Sequence, residues 1–165
     1  MRGRLSGITL LELLIVLAII TGLLTLSLPS FTGQVGEWRS RAQAMRLLSA
    51  INLVRSRAVR LGREITLCPG DIRVSACRGL YSHGFSVIDG SGDIIRRYPE
   101  RPYIVVWNSA GTREENRPIS WRADGWGSRN MSWVFCPASG SVHWAVVVNR
   151  LGRPRLLQNW GHCPD

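Results

Sequence analysis

The spacing of apolar residues changes character twice along the chain. Residues 8–28 form one apolar run in which Glu12 is the only ionisable position. A helix of that length rises about 31 Å, enough to cross the hydrocarbon core of a bilayer. The pattern predicts that the helix continues past Pro29, with Gly33 and Gly36 weakening it and marking a bend. From Glu37 onward, Ala44, Leu47, Ile51, Val54, Ala58 and Leu61 recur at alternating steps of three and four. That is one apolar stripe on a helix, and Gly62 is placed to cap its C-terminus. Arg39, Arg46, Arg57 and Arg60 fall away from the stripe and read as a solvated face.

Beyond Gly62 the period shortens to that of strands. The expected strands are Glu64–Cys68, Gly84–Asp89, Asp93–Tyr98, Tyr103–Trp107, Ile119–Trp121, Trp133–Cys136 and Val142–Asn149. Gly90-Ser91-Gly92 reads as a hairpin turn between two of them. Trp144-Ala145-Val146-Val147-Val148 is the continuous apolar run of a buried strand. Asn149-Arg150-Leu151-Gly152 turns the chain into the tail. There Pro154 lacks a ladder donor, so Arg153-Pro154-Arg155-Leu156-Leu157 is an edge strand or irregular. A long helix followed by short strands is an α+β domain, the helix's second half lying across a mainly antiparallel sheet. The divisions expected are residues 1–7 as a leader, 8–28 as a membrane or filament helix, 29–62 as its amphipathic continuation and 63–165 as a β domain.

Length and charge sharpen this picture. The chain has 165 residues, so one domain plus an anchor is the natural count. The formal net charge is +10, and all 21 basic side chains are arginine. Guanidinium forks bind phosphate and carboxylate through paired hydrogen bonds. Such a surface suits nucleic acid, anionic lipid or an acidic partner, although high-GC codon usage also yields arginine without lysine. Cys68, Cys77, Cys136 and Cys163 all follow the apolar run, and exporting the domain puts them in an oxidising compartment. Four cysteines allow three pairings, of which local closure favours Cys68–Cys77 with Cys136–Cys163.

Other chemistry finds less support. Asp89, Ser91 and Asp93 supply too few oxygens for calcium, which takes six to eight, and a hairpin explains them. His83, His143 and His162 match no common zinc spacing with the cysteines, so no metal or cofactor is expected. Neither G-x-S-x-G nor H-E-x-x-H occurs, and Ser139-Gly140-Ser141 beside His143 reads as a turn, so the chain reads as a non-enzyme. Trp107, Trp121, Trp133 and Trp144 fall in strands and read as core, whereas Trp126 and Trp160 fall in loops. Gly152-Arg153-Pro154-Arg155 places two arginines two residues apart, the spacing at which strand side chains share a face. Arg153 and Arg155 are therefore the candidate DNA-binding residues.

The N-terminus carries the clearest signal. Arg2 and Arg4 precede Gly7-Ile8-Thr9-Leu10-Leu11-Glu12 and the apolar run. A carboxylate inside a membrane costs about 2.5–3.5 kcal/mol, so Glu12 calls for a partner. A secretory signal has a shorter apolar region and a cut site after it, so it does not account for this arrangement. The stretch resembles the leader and first helix of type IV pilins and of the pseudopilins of type II secretion, with Ile8 where phenylalanine is usual. Pro29 falls where pilins commonly carry a helix-kinking proline. The resemblance implies cleavage between Gly7 and Ile8 by prepilin peptidase and N-methylation of Ile8. It also implies that Glu12 pairs with a neighbouring subunit's terminal amine in a filament.

Further along, Asn52-Leu53-Val54-Arg55-Ser56-Arg57-Ala58-Val59, Ile65-Thr66-Leu67-Cys68-Pro69 and Gly84-Phe85-Ser86-Val87 with Asp89 resemble the GspH/FimT family. The Gly152–Arg155 tail resembles that of its DNA-uptake members. The resemblance implies a type IV pilin-like fold and a minor pilin acting in pilus assembly or initiation. Its implied partners are other pilins, prepilin peptidase, the inner membrane and double-stranded DNA. It places the chain in the inner membrane by a single pass, with a periplasmic domain, and in the pilus fibre. The alternative is an H-type minor pseudopilin of a type II secretion system.

Overall fold

The computed structural model describes residues 9–70, 77–101, 104–138 and 142–164, with backbone alone described for residues 24–32. Gly7, Ile8, Tyr103, the Ser139–Ser141 turn and most of the loop between Cys68 and Cys77 lie outside the described residues.

One helix, α1 (Leu10–Leu61), runs unbroken through the positions of Pro29, Gly33 and Gly36. Thr9 caps it, its hydroxyl accepting the N–H of Glu12 at 3.3 Å, and Glu12 stands in the first turn, where a carboxylate meets the positive end of the helix dipole. Gly62 ends the helix at φ 63°, the left-handed geometry that favours glycine. Among the described residues eight strands follow: β1 (Ile65–Pro69), β2 (Gly84–Asp89), β3 (Ile94–Pro99), β4 (Ile104–Trp107), β5 (Ile119–Trp121), β6 (Met131–Pro137), β7 (Trp144–Val148) and β8 (Pro154–Gln158). A 3-10 turn at Tyr81–His83 leads into β2.

Pairing is antiparallel throughout, as the strand order implies, and it is divided between two four-stranded sheets. The first has the order β3-β2-β1-β5 and the second β4-β6-β7-β8. The tail resolves as β8, an edge strand beginning at Pro154, paired with β7 so that Val147 faces Arg155.

The helical stripe is the spine of the core. Ala44, Leu47, Ala50, Ile51, Val54 and Ala58 are fully buried. They pack with Ile65, Leu67, Phe85 and Val87 of the first sheet and Ile104, Val106, Trp133, Phe135, Val146 and Val148 of the second, in one continuous core. Leu61, expected in the stripe, is 46% exposed. It falls on the last turn, immediately before Gly62 reverses the chain. Arg46, expected on the solvated face, instead lays its guanidinium over the rings of Phe85 and Tyr98 at 5.6 and 5.4 Å. The alkyl stem of arginine allows this burial.

Contacts along α1 fix which loops lie at which end. Ser40 donates to the carbonyl of Phe135 at 2.6 Å, and Arg41 sits over Trp144 at 5.1 Å. Arg55 donates through Nε to the carbonyl of Gly125 at 3.3 Å. Fourteen helical residues, about 21 Å, separate Arg41 from Arg55. The turns at residues 122–127 and 149–153 therefore lie at the end of the domain farthest from Glu12.

Candidate functional site

Two regions carry the residues singled out by the sequence. The first is the N-terminal part of α1. Leu10, Leu11, Leu13, Leu14, Ile15, Val16, Leu17, Ile19, Ile20 and Leu23 are all exposed. An apolar surface of this length, uncovered by the chain's own domain, calls for lipid or other subunits to bury it. Among the described residues no helix is long and apolar enough to cross a membrane. The apolar run of residues 8–28 extends beyond them, at residue 8 and at the side chains of residues 24–28. Glu12 is exposed at the start of this surface.

The second region is the far end of the domain, where two turns pack against each other. Asn149-Arg150-Leu151-Gly152 closes with the N–H of Gly152 donating to the carbonyl of Asn149 at 2.9 Å. The turn after β5 closes likewise, Gly125 donating to the carbonyl of Arg122 at 2.9 Å. The N–H of Gly127 then donates to the carbonyl of Arg150 at 3.0 Å, which ties the two turns together. Gly152 has φ 72°, and a Cβ built there lies 2.3 Å from the carbonyl oxygen of Gly125 and 2.7 Å from Nε1 of Trp121. Trp121 is fully buried, and its Nε1 donates to the carbonyl of Gly152 at 3.2 Å. The glycine of the Gly152–Arg155 motif is thus a packing residue, seated where no side chain fits.

The arginines of that motif behave differently. Arg153 stands one residue before β8 and Arg155 within it, and both are exposed. Among the described residues neither forms an ion pair, and the same holds for Arg150 in the adjoining turn. Arg122 is paired with Asp124. Asp124 also accepts the N–H of Trp126 at 3.0 Å. This backbone bond and the Arg122 guanidinium hold its carboxyl below the usual carboxylate range. Sequence reading passed over Arg150, because its nearness to Trp126 is set by the packing of two turns that are distant in the chain.

The remaining polar candidates are structural. Cys68 is bonded to Cys77 and Cys136 to Cys163. The second bond draws the tail back across the second sheet, where Gly161 passes over Val134 so closely that a Cβ would lie 2.6 Å from its Cγ2. Asp89 accepts from the N–H of Ser91 at 3.0 Å, the Ser91 hydroxyl at 2.6 Å and the N–H of Asp93 at 3.0 Å, and it pairs with Arg63 at 2.9 Å. The Ser91 hydroxyl contributes most to holding the Asp89 carboxyl below its ordinary pKa. These partners leave it engaged in its own hairpin. Among the described residues no group of histidine, cysteine and carboxylate side chains is placed to hold a metal ion.

Glu115 is a residue that sequence reading missed. It is fully buried and clasped by Arg117 through Nε and Nη2, each at 2.9 Å. The N–H groups of Asn116 and Arg117 complete the cradle at 3.2 and 3.1 Å. Its only sequence signal is a Glu-x-Arg spacing in a loop, which is common on surfaces.

Comparison with known proteins agrees with this architecture. Among solved structures, the type IV minor pilin FimU of Pseudomonas aeruginosa superimposes with a TM-score of 0.55 at 16% identity, covering 72% of this chain and 88% of that one. The minor pseudopilin EpsH from the type 2 secretion system of Vibrio cholerae gives 0.53 at 10% identity, covering 72% and 95%. At these identities the likeness is one of fold. No curated protein matches the chain. Residues 43–152, well over half of the chain, match the family model described as Type II transport protein GspH. They take in the C-terminal part of α1 from residue 43, every strand through β7 and the turn that carries Gly152, and the chain belongs to the GspH family.

Proposed function

We propose that the chain is a minor type IV pilin that acts in pilus assembly or initiation. The observation that carries this reading is the exposed apolar helix Leu10–Leu23, opened by Glu12 and continuous with the helix that forms the domain's core. In this reading prepilin peptidase cuts between Gly7 and Ile8, the new amine is methylated, and the helix waits in the inner membrane. On assembly the helix moves into the filament, where Glu12 neutralises a neighbouring subunit's terminal amine. A buried carboxylate without that partner costs several kcal/mol, so the pairing sets the docking register. Gly7→Ala should leave the leader attached and keep the chain out of pili. Glu12→Ala should still be cleaved and should assemble poorly. Mass spectrometry of membrane and pilus fractions reads both results. A wild-type chain cut elsewhere, or left uncut, overturns the reading.

A DNA-binding activity is part of the proposal. Arg153 and Arg155 are exposed beside Arg150 at the end of the domain farthest from the membrane helix, and they would bind backbone phosphates of duplex DNA. Each neutralised phosphate adds about 0.9 to the log–log salt slope, so replacing both arginines with alanine should flatten it by about 1.8. An unchanged slope overturns the assignment.

The second reading, an H-type pseudopilin of type II secretion, is favoured by the family description and by the likeness to EpsH. Deleting the gene separates the two: loss of pili supports the first, and loss of secreted enzymes with pili intact supports the second.

A further inference from the structure

Three tryptophans stand exposed among the described residues. Trp38 is 66%, Trp126 47% and Trp160 38% exposed. Trp38 lies three residues before Arg41, at the Glu12-proximal end of the part of α1 that packs on the sheets. Trp160 follows Asn159, whose N–H donates to the carbonyl of His143 at 2.9 Å, at that same end. Trp126 alone belongs to the far end. Its carbonyl accepts the N–H of Arg122 at 3.0 Å, and the next residue, Gly127, is bonded to Arg150. Its turn touches the one that carries Gly152, and Arg153 follows directly. In the two turns the one acidic residue is Asp124, already engaged by Arg122 and by the N–H of Trp126. Arg150, Arg153 and Arg155 are left without a carboxylate partner among the described residues. An exposed indole on a backbone-bonded turn, next to a turn and strand that carry uncompensated arginines, matches the chemistry that grips unpaired nucleotides. The ring stacks on a base while the charges follow the phosphates. A duplex offers no base face for such stacking except at its ends.

We propose that Trp126 is a stacking platform for an unpaired base, so that the far end of the domain takes single-stranded DNA. This rests on the reading of Arg153 and Arg155 as phosphate-binding residues and adds the class of strand. Phosphate contacts serve duplex and single strand both, whereas the indole adds affinity for the single strand only. The backbone bonds that build the turn do not use the indole, so the turn survives its removal.

The test uses the full chain in detergent micelles. Fluorescence anisotropy follows binding to a labelled oligothymidine and to a blunt duplex of equal length at low salt. Trp126→Ala should weaken oligothymidine binding by at least about five-fold while changing duplex binding by less than about two-fold. Trp126→Phe keeps an aromatic face and should retain most of the single-strand affinity. Equal weakening on both DNAs, or none on oligothymidine, overturns the stacking role. If Arg153→Ala with Arg155→Ala still flattens the salt slope in that case, the phosphate reading stands by itself. A wild-type chain that binds neither DNA overturns both.

Discussion

Gly152→Ala tests whether the glycine of the tail motif serves packing while its arginines serve binding. The added Cβ would lie 2.3 Å from the carbonyl oxygen of Gly125 and 2.7 Å from Nε1 of Trp121. Neither neighbour can retreat easily. Gly125 is buried against α1, its carbonyl held by Arg55, and Trp121 is fully buried and donates to the carbonyl of Gly152 itself. The backbone conformation adds a second cost. At φ 72° a residue with a side chain costs about 1 kcal/mol or more. Overpacking a tight site adds about 1–3 kcal/mol. Together these predict a destabilisation of about 2–4 kcal/mol, a large share of the 5–15 kcal/mol that holds a typical domain together. For a domain of this size each kcal/mol shifts Tm by about 3–5 °C, so the variant should melt about 6–20 °C below wild type. Circular dichroism of the full chain in micelles, at matched protein and detergent concentration, measures it. Arg153→Ala and Arg155→Ala are the contrast. Both side chains are exposed, and each change should stay within about 0.5 kcal/mol. If Gly152→Ala melts within 1–2 °C of wild type, on the order of 0.5 kcal/mol, then the turns have room to move apart and the packing argument is wrong.

Glu115→Gln should destabilise the domain by about 1–3 kcal/mol in chemical denaturation, because it removes a charge-assisted fork from a buried site while Arg117 stays half-exposed and can hydrate. Replacing Cys136 and Cys163 with serine opens a loop with a sequence separation of 27, which the chain-entropy model values at about 3.5 kcal/mol. Hydrogen exchange should then rise first in the tail and β8, and uniform exchange across both sheets would contradict this. The Asp89 carboxyl titrates below its ordinary value of 3.8 in the fold, so the unfolded chain takes up its proton first. The contribution of Asp89 is therefore present above pH 4 and is lost as pH falls below it. In Asp89→Asn that acid-limb dependence should diminish, and an unchanged limb would show that other carboxylates set it.

The second half of α1 was legible in the sequence because burying one face of a helix imposes a repeat that no local interaction can disguise. Ala44, Leu47, Ile51, Val54 and Ala58 announce the core before any tertiary packing is known, and Gly62 announces the stop, since only glycine sits easily in that left-handed cap. The hairpin at Asp89–Asp93 and the turn at Asn149–Gly152 were legible for the same reason, each being closed by residues a few positions apart. The expected leader and cut site also rest on local order in the chain, and Gly7 and Ile8 lie outside the described residues. What the sequence left undetermined depends on the meeting of distant segments. Division of the strands into two sheets depends on which distant strands pair, and no strand records that in its own pattern. The burial of Glu115 depends on a cradle that looks like any exposed loop when read in one dimension. Trp126 and Trp121 are five residues apart, yet one is exposed and the other fully buried, because Gly152 and Gly125 meet beside Trp121 and leave no space there. Spacing along a chain records only what neighbours in sequence do to one another. The gathering of Trp126, Arg150 and Arg153 at one end of the domain is the work of two turns brought together by the closing of the sheets.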